Sequence, residues 1–360
     1  MKLKLARPLA AVIALVISGC GPKEAAKTTA LPAQTGGTAS AASSLKIGYV
    51  LHGQNDFTQV IKKGAEDAGN DLNLDVQVNG PVGFNSHDAI AIFEGMVQKK
   101  EDGLVVVPMP GDDWIVPIKG AVDAKIPVAT ANITSPKSAA ELWIGQDEYQ
   151  SGVILANELK KILEADGKKT GKILVGICKP GVDVLEQRYQ GFKKGMEGTG
   201  YQVTQPYNVN TENTANYSQW ESLAGANKDM VAAVGLCSMD IPNMSKLKAR
   251  LKAPWAVAGY DLNIETLDAI KAGNCQLTLG QHPYLQGYLP VRALAESIRA
   301  KKPMVKGWLD THTEIVTKAN VDTVYNREKD PAEMTKWYKV HVEKEYKDLA
   351  AGVKPMPGKK

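Results

Sequence analysis

From residue 45 onward the chain alternates short apolar runs with longer stretches of helical spacing. Residues 45–51 read as a strand, 57–72 as a helix, 74–78 as a strand and 87–99 as a helix. Residues 103–108 form a buried-type strand, 114–124 are helical, and 126–131 are the next strand. The pattern then restarts with a helix at 149–165, a strand at 172–177 and a helix at 184–198. Further strands are expected at 201–205, 230–236, 255–259 and 276–280, with helices between them. Strands that are apolar throughout, joined by amphipathic helices, indicate parallel sheets covered on both faces. Two such series predict an α/β protein of two doubly wound parallel-sheet lobes. Such sheets bind ligands at the C-terminal ends of their strands. Two facing sheets therefore place those ends on either side of a cleft.

The first twenty residues follow another pattern. Lys2, Lys4 and Arg7 precede an apolar run at 9–17, too short to span a bilayer comfortably, and Ile17-Ser18-Gly19-Cys20 follows. Charge, a short apolar stretch and small residues in that order mark a secretory signal, here 1–19. Its end resembles the bacterial lipobox, in which cleavage leaves a lipidated cysteine, here Cys20. An ordinary signal with an accidental cysteine is the alternative. Residues 20–44 are small and polar without periodicity, which is the composition of a flexible tether. The expected location is the periplasmic or cell-surface side of the membrane, with the lipid on Cys20 as the one membrane attachment.

Composition narrows the function. At 360 residues the chain is too long for one ordinary core. Its 43 Lys+Arg against 39 Asp+Glu give +4, and loss of the three bases of the signal leaves +1. That balance gives no reason to expect nucleic acid as a partner, and a signal stands where a repressor would carry its helix-turn-helix. No Gly-x-Gly-x-x-Gly follows the strand at 45–51. The five histidines show neither triad nor metal spacing, although His52 and His282 follow cleft-directed strands and could line the cleft. No catalysis, cofactor or metal is expected. Of the four cysteines, Cys178 and Cys237 end strands one and three of the second lobe in a shared Val-Gly-x-Cys pattern. In strand order 2-1-3-4-5 these strands are neighbours, about 4.8 Å apart. A Cys178–Cys237 disulfide with Cys275 free is predicted, and three buried thiols are the alternative.

Several segments carry a family resemblance. They are Lys46-Ile47-Gly48 with Asn55-Asp56-Phe57, Asp102-Gly103-Leu104-Val105-Val106, Ile126-Pro127-Val128, Ile144-Gly145-Gln146-Asp147, Arg188-Tyr189-Gln190-Gly191-Phe192 and Gly259-Tyr260-Asp261. In this order they resemble the type I periplasmic solute-binding proteins, in the ribose/galactose-like branch that serves ABC importers. The resemblance implies lobe one at 44–146 plus 282–308 and lobe two at 147–281 plus 309–326, with a late strand at 313–317. It implies a hinge of three crossovers and closure around the ligand. Residues 327–360 lie outside it. Asp330-Pro331-Ala332-Glu333 there starts a helix to about Leu349, followed by a frayed basic tail.

The resemblance also implies a ligand set. In lobe one, Asn55 and Phe57 match an Asn-Pro-Phe segment; a helix staple is the other use of Phe57. Asn132 stands where many relatives have Asp followed by Arg, but Ile133 follows here, so a charged clamp is lost. Trp114, after the third strand, either walls the cleft or covers the sheet. In lobe two, Glu186 falls near a ligand-binding Arg of relatives, with Arg188 as the alternative register. Tyr217 matches an aromatic position and Ser238 a position often held by Asn. Tyr260 and Asp261 match an aromatic-Asp pair, unless Asp261 is only a turn residue. Gln281 matches a ligand residue or is a hinge hydrogen-bonding group. The expected partner is a small neutral hydroxylated solute, a sugar or polyol, delivered by a monomer to an ABC permease. A sensor presenting its solute to a chemoreceptor or histidine kinase is the alternative.

Overall fold

The computed structural model describes residues 44–356. The expected signal, the lipidation expected at Cys20 and most of the expected tether lie outside the described residues, as do the last four residues.

The first half begins with β1 (Lys46–Val50), α1 (Asp56–Leu72), β2 (Asp75–Asn79), α2 (Ser86–Gln98) and β3 (Gly103–Val106). A 3-10 turn at Gly111–Trp114 leads into α3 (Ile115–Asp123), then β4 (Val128–Ala131) and β5 (Leu142–Gly145). The second half holds α4 (Glu148–Ala165), β6 (Thr170–Ile177), α5 (Asp183–Gly195), β7 (Gly200–Val203), β8 (Tyr207–Asn208) and α6 (Asn213–Ala226). It continues with β9 (Met230–Gly235), α7 (Asp240–Leu251), β10 (Ala256–Tyr260), α8 (Ile264–Lys271) and β11 (Leu277–Gly280). The chain ends in α9 (Pro283–Ala300), β12 (Gly307–Asp310), β13 (Glu314–Val316), α10 (Val321–Glu328), α11 (Pro331–Glu345) and α12 (Leu349–Gly352).

Two sheets result. Sheet one runs β12-β5-β4-β3-β1-β2, and sheet two β13-β11-β10-β9-β6-β7, with β8 paired to β6. Within sheet two the order from β7 to β11 is 2-1-3-4-5, with β13 antiparallel at the edge. The central strands β1, β3, β4, β9 and β10 are almost wholly buried, which is why they read as continuous apolar runs.

β12 extends to Asp310 and pairs with β5, so the chain leaves lobe one at 311–313 and not between 308 and 309. β5 and β12 were not anticipated as strands. The described part of the segment expected to fray is docked. α11 ends at Glu345 rather than at Leu349, and α12 leads to Lys354, which exchanges two backbone hydrogen bonds of 2.8 Å with Trp308.

Local chemistry sets the elements that carry the site. Asn55 caps α1, accepting from the Thr58 amide at 3.0 Å, while Thr58 Oγ1 accepts from the Asn55 amide at 2.9 Å. Asp330 caps α11 by accepting from the Ala332 and Glu333 amides, with Pro331 in the first turn.

Candidate functional site

The C-terminal ends of the two sheets open on one cleft of about 840 Å³. Lobe one contributes Asn55 and Phe57 from the start of α1, and Phe84 from the loop after β2. Lobe two contributes Lys179 after β6, Ser238 and Met239 after β9, and Asp261 and Asn263 after β10. Pro283, Glu328, Pro331, Met334 and Tyr338 complete the wall. Loops after parallel strands are where such sheets bind ligands, because the strand order lets neighbouring loops diverge there.

A hydrogen-bonded chain joins the lobes behind Asp261. Gln281 Nε2 donates to Asp261 Oδ1 at 2.7 Å. Asn132 Nδ2 donates to Gln281 Oε1 at 2.9 Å and to Gln286 Oε1 at 3.0 Å. Gln286 Nε2 returns to the Gln281 carbonyl at 2.8 Å. Burial pushes the Asp261 carboxyl up to about 6, against the opposing pull of the Arg188 cation and the Gln281 bond. At neutral pH it therefore presents a largely ionised acceptor at the cleft wall.

Of the expected ligand residues, Asn55, Phe57, Ser238 and Asp261 line the cleft. Asn132 and Gln281 stand in the chain behind Asp261, where their amides already hold one another. The remaining five lie elsewhere, each for a physical reason. Trp114 is fully buried on the outer face of sheet one, edge-on to Phe93 with ring centres 5.5 Å apart, so it covers the sheet. Glu186 closes its own loop by accepting from the Gly181 amide at 3.0 Å. Tyr217 packs against the lobe-two core, with the Arg250 guanidinium over its ring at 5.9 Å. Arg188 is held by Glu148 through two bonds of 2.6 and 2.9 Å, and donates to the Leu236 carbonyl at 2.8 Å. Burial opposes its charge most strongly of any one influence, but the charge and hydrogen bonds of Glu148, with Tyr260 and Asp261, together outweigh burial and raise its pKa. Tyr260 lies beneath that guanidinium at 4.1 Å, its hydroxyl 3.0 Å from Ser151 Oγ.

Other cleft residues escaped the sequence reading. Phe84 stacks on His52 at 5.2 Å and follows β2, so the strand-end rule that found Asn55 would have found it. His52, which could have lined the cleft, is instead buried beside Phe84; burial lowers its pKa to about 4, leaving a neutral ring whose Nδ1 has no hydrogen-bond partner among the described residues. Glu328, Pro331 and Met334 belong to the segment beyond the resemblance, where the sequence signalled a helix start at Pro331 but nothing that pointed to the cleft. His282, the other histidine expected as a possible cleft residue, is buried against Tyr338 away from the cleft lining, with Nδ1 3.1 Å from the hydroxyl, and burial lowers its pKa to about 3.

Cys178 and Cys237 form a disulfide with Cα atoms 6.1 Å apart. It ties the loop of Lys179 to that of Ser238, both on the cleft. Cys275 is free and buried, and burial pushes its thiol up to about 12. Among the described residues no group of three or more His, Cys, Asp or Glu is placed to hold a metal. No helix among them is long and apolar enough to cross a membrane.

Two parallel-sheet lobes, a hinge threaded by hydrogen bonds and a cleft walled by strand-end loops define a two-lobed binding protein of the type I periplasmic architecture. The chain belongs to the periplasmic binding protein domain family, whose match spans residues 47–302. It is similar to the xylose/arabinose-binding protein of Sulfolobus acidocaldarius, 24% identical over 83% of this chain and 78% of that one. It is also similar to the ribose import binding protein of Bacillus subtilis, 22% identical over 69% of this chain and 79% of that one. Its fold matches a carbohydrate transporter solute-binding protein from Agrobacterium radiobacter in complex with D-arabinose, with a TM-score of 0.74. That match has 24% identity and covers 79% of this chain and 99% of the other.

Proposed function

We propose that this chain captures a small neutral hydroxylated solute, a sugar or polyol, between its lobes and delivers it to an ABC permease. Capture takes place on the extracytoplasmic side, from an anchor at the lipidated Cys20, and involves no chemical conversion of the ligand. The observation that carries the reading is the pairing across the cleft of Asn55 and Phe57 with Ser238 and Asp261. An aromatic face covers sugar C–H groups, and an ionised buried carboxylate accepts strongly from hydroxyls. Arg188, under the lobe-two wall, is already neutralised by Glu148, so it offers no clamp for an anionic ligand. Relatives named for xylose, arabinose and ribose agree in ligand class.

The test is a thermal-shift panel of pentoses, hexoses, polyols and nucleosides, with small carboxylates and phosphates beside them, because a ligand that binds only the folded state raises its melting temperature. A shift with at least one sugar or polyol is expected. A panel in which carboxylates or phosphates raise the melting temperature while every neutral hydroxylated compound leaves it unchanged would overturn the reading.

A further inference from the structure

The chain passes between the lobes four times. Three passages are hinge segments, after β5, after β11 and after β12. The fourth lies beyond the family match, at the two residues between α10 and α11. α10 belongs to lobe two: Val321 and Val324 sit in its core, and Arg327 pairs with Glu314 of β13 through bonds of 2.7 and 3.2 Å. α11 is fixed to lobe one. Thr335 donates to Asp67 at 3.0 Å, Lys339 to Asp71 at 2.7 Å, and the Tyr338 ring stacks on Tyr284 at 4.7 Å. The chain stays on lobe one afterwards, where the Tyr346 hydroxyl donates to the Asp310 carbonyl at 2.6 Å before the pairing with Trp308.

Any change in the angle between the lobes must move α10 against α11. Two connecting residues reach only about 7 Å when extended. One side chain fastens the joint: the Arg327 guanidinium, held in lobe two by Glu314, lies 4.2 Å over the Trp337 ring of α11, with the Tyr338 ring farther off at 5.8 Å. Trp337 in turn stacks on His282 of the second passage at 5.8 Å. A desolvated cation over an indole is a strong contact of its kind.

We propose that residues 321–354 form a strap that limits how far the cleft opens, with Arg327 on Trp337 as its fastening. The strap goes beyond the proposed function, since its working is independent of ligand identity and is read without ligand.

Spin labels on Val116→Cys in lobe one and Leu251→Cys in lobe two, both exposed, report the lobe separation by pulsed electron resonance on the full chain. Without ligand, the otherwise unaltered chain is expected to give one narrow distance distribution. Trp337→Ala broadens it and moves its mean outward by several ångströms, whereas Trp337→Phe, which keeps an aromatic face, leaves it narrow. Should Trp337→Ala fail to fold, inserting four Gly/Ser residues between Lys329 and Asp330 slackens the strap without removing a side chain, and the same broadening is expected. Distributions unchanged in both the alanine variant and the insertion overturn the proposal.

Discussion

The two lobes share a construction and part company at the cleft. In each, two helices cross at glycines so closely that a side chain would collide with backbone. A methyl group on Gly287 of α9 would fall 1.9 Å from the Ile61 carbonyl oxygen of α1, and one on Gly191 of α5 would fall 1.9 Å from that of Tyr149 on α4. Above this common base the walls are held differently. Lobe one presents Asn55 and Phe57 through a local cap, made by residues three apart. Lobe two holds its cleft loops with long-range links: the Glu148–Arg188 pair and the Cys178–Cys237 disulfide. Lobe two should therefore lose its cleft wall to single changes far from the ligand, and lobe one should not.

The largest expected effect is at Arg188. Arg188→Met leaves Glu148, 1% exposed in its side chain, as an uncompensated buried charge. Such losses cost about 3–5 kcal/mol, and urea unfolding should show a midpoint lowered accordingly. Glu148→Leu combined with Arg188→Met should restore most of the loss. A variant that keeps its stability but loses ligand would instead return Arg188 to the ligand set. Next comes the disulfide, whose cysteines are 59 residues apart. Cys178→Ser with Cys237→Ser should cost about 2–4 kcal/mol. It should also weaken ligand binding, since the loops of Lys179 and Ser238 lose their tie. An equal loss of stability with full affinity would show that the wall does not depend on the link.

The same contrast explains what could be read from the sequence. Residues just after a strand take their direction from the sheet, so the family resemblance, carried by strand-end segments, could bring Asn55, Phe57, Ser238 and Asp261 to the cleft. Residues on helices were not so placed, because each step turns the side chain by about 100°. Asn216 is buried and donates to Asp240 at 2.7 Å, whereas Tyr217, one residue on, packs beside Arg250. The helix register that would have separated them is invisible without the packing partner. β5 and β12 escaped for a related reason: each is a four-residue strand recognised by its pairing, β5 between β4 and β12 and β12 at the sheet edge. The C-terminal wall depends on Asp67, Asp71 and Tyr284, which no local pattern connects to Met334.

Asp261→Asn probes the chain of hydrogen bonds that joins the lobes. Its carboxyl titrates at about 6 when folded, against an ordinary 3.8. Above pH 6 the folded protein holds a buried charge that the unfolded chain solvates freely, so the group subtracts stability at pH 7. The penalty fades as pH falls through 6 and is gone below about 4. The asparagine variant should thus be more stable than the original by up to roughly 3 kcal/mol at pH 7, with the difference shrinking as pH falls from 7 to 4. It should also bind ligand at least about tenfold more weakly, because a charge-assisted bond is worth roughly 1.5–3 kcal/mol. Chemical unfolding at several pH values and calorimetric titration with the sugar found in the panel check both signs. A gain independent of pH would mean that Asp261 is not ionised in the folded protein at pH 7.

The smallest effect separates two aromatic residues that the sequence treated alike. Phe57 is half-buried at the cleft and Tyr217 half-buried behind the lobe-two core. Phe57→Ala removes the aromatic face offered to the ligand and should weaken binding about tenfold. Tyr217→Ala should cost on the order of 1 kcal/mol of stability, the usual scale for a partly buried side chain, and leave affinity within about twofold. Melting temperature and titration on the same two proteins decide the matter. If Tyr217→Ala lost affinity as strongly as Phe57→Ala, closure would have to bring α6 to the ligand, and lobe two would reach the cleft through its helices as well as its loops. If neither lost affinity, any aromatic face in use would have to be that of Phe84 or Tyr338, and Phe57 would leave the ligand set.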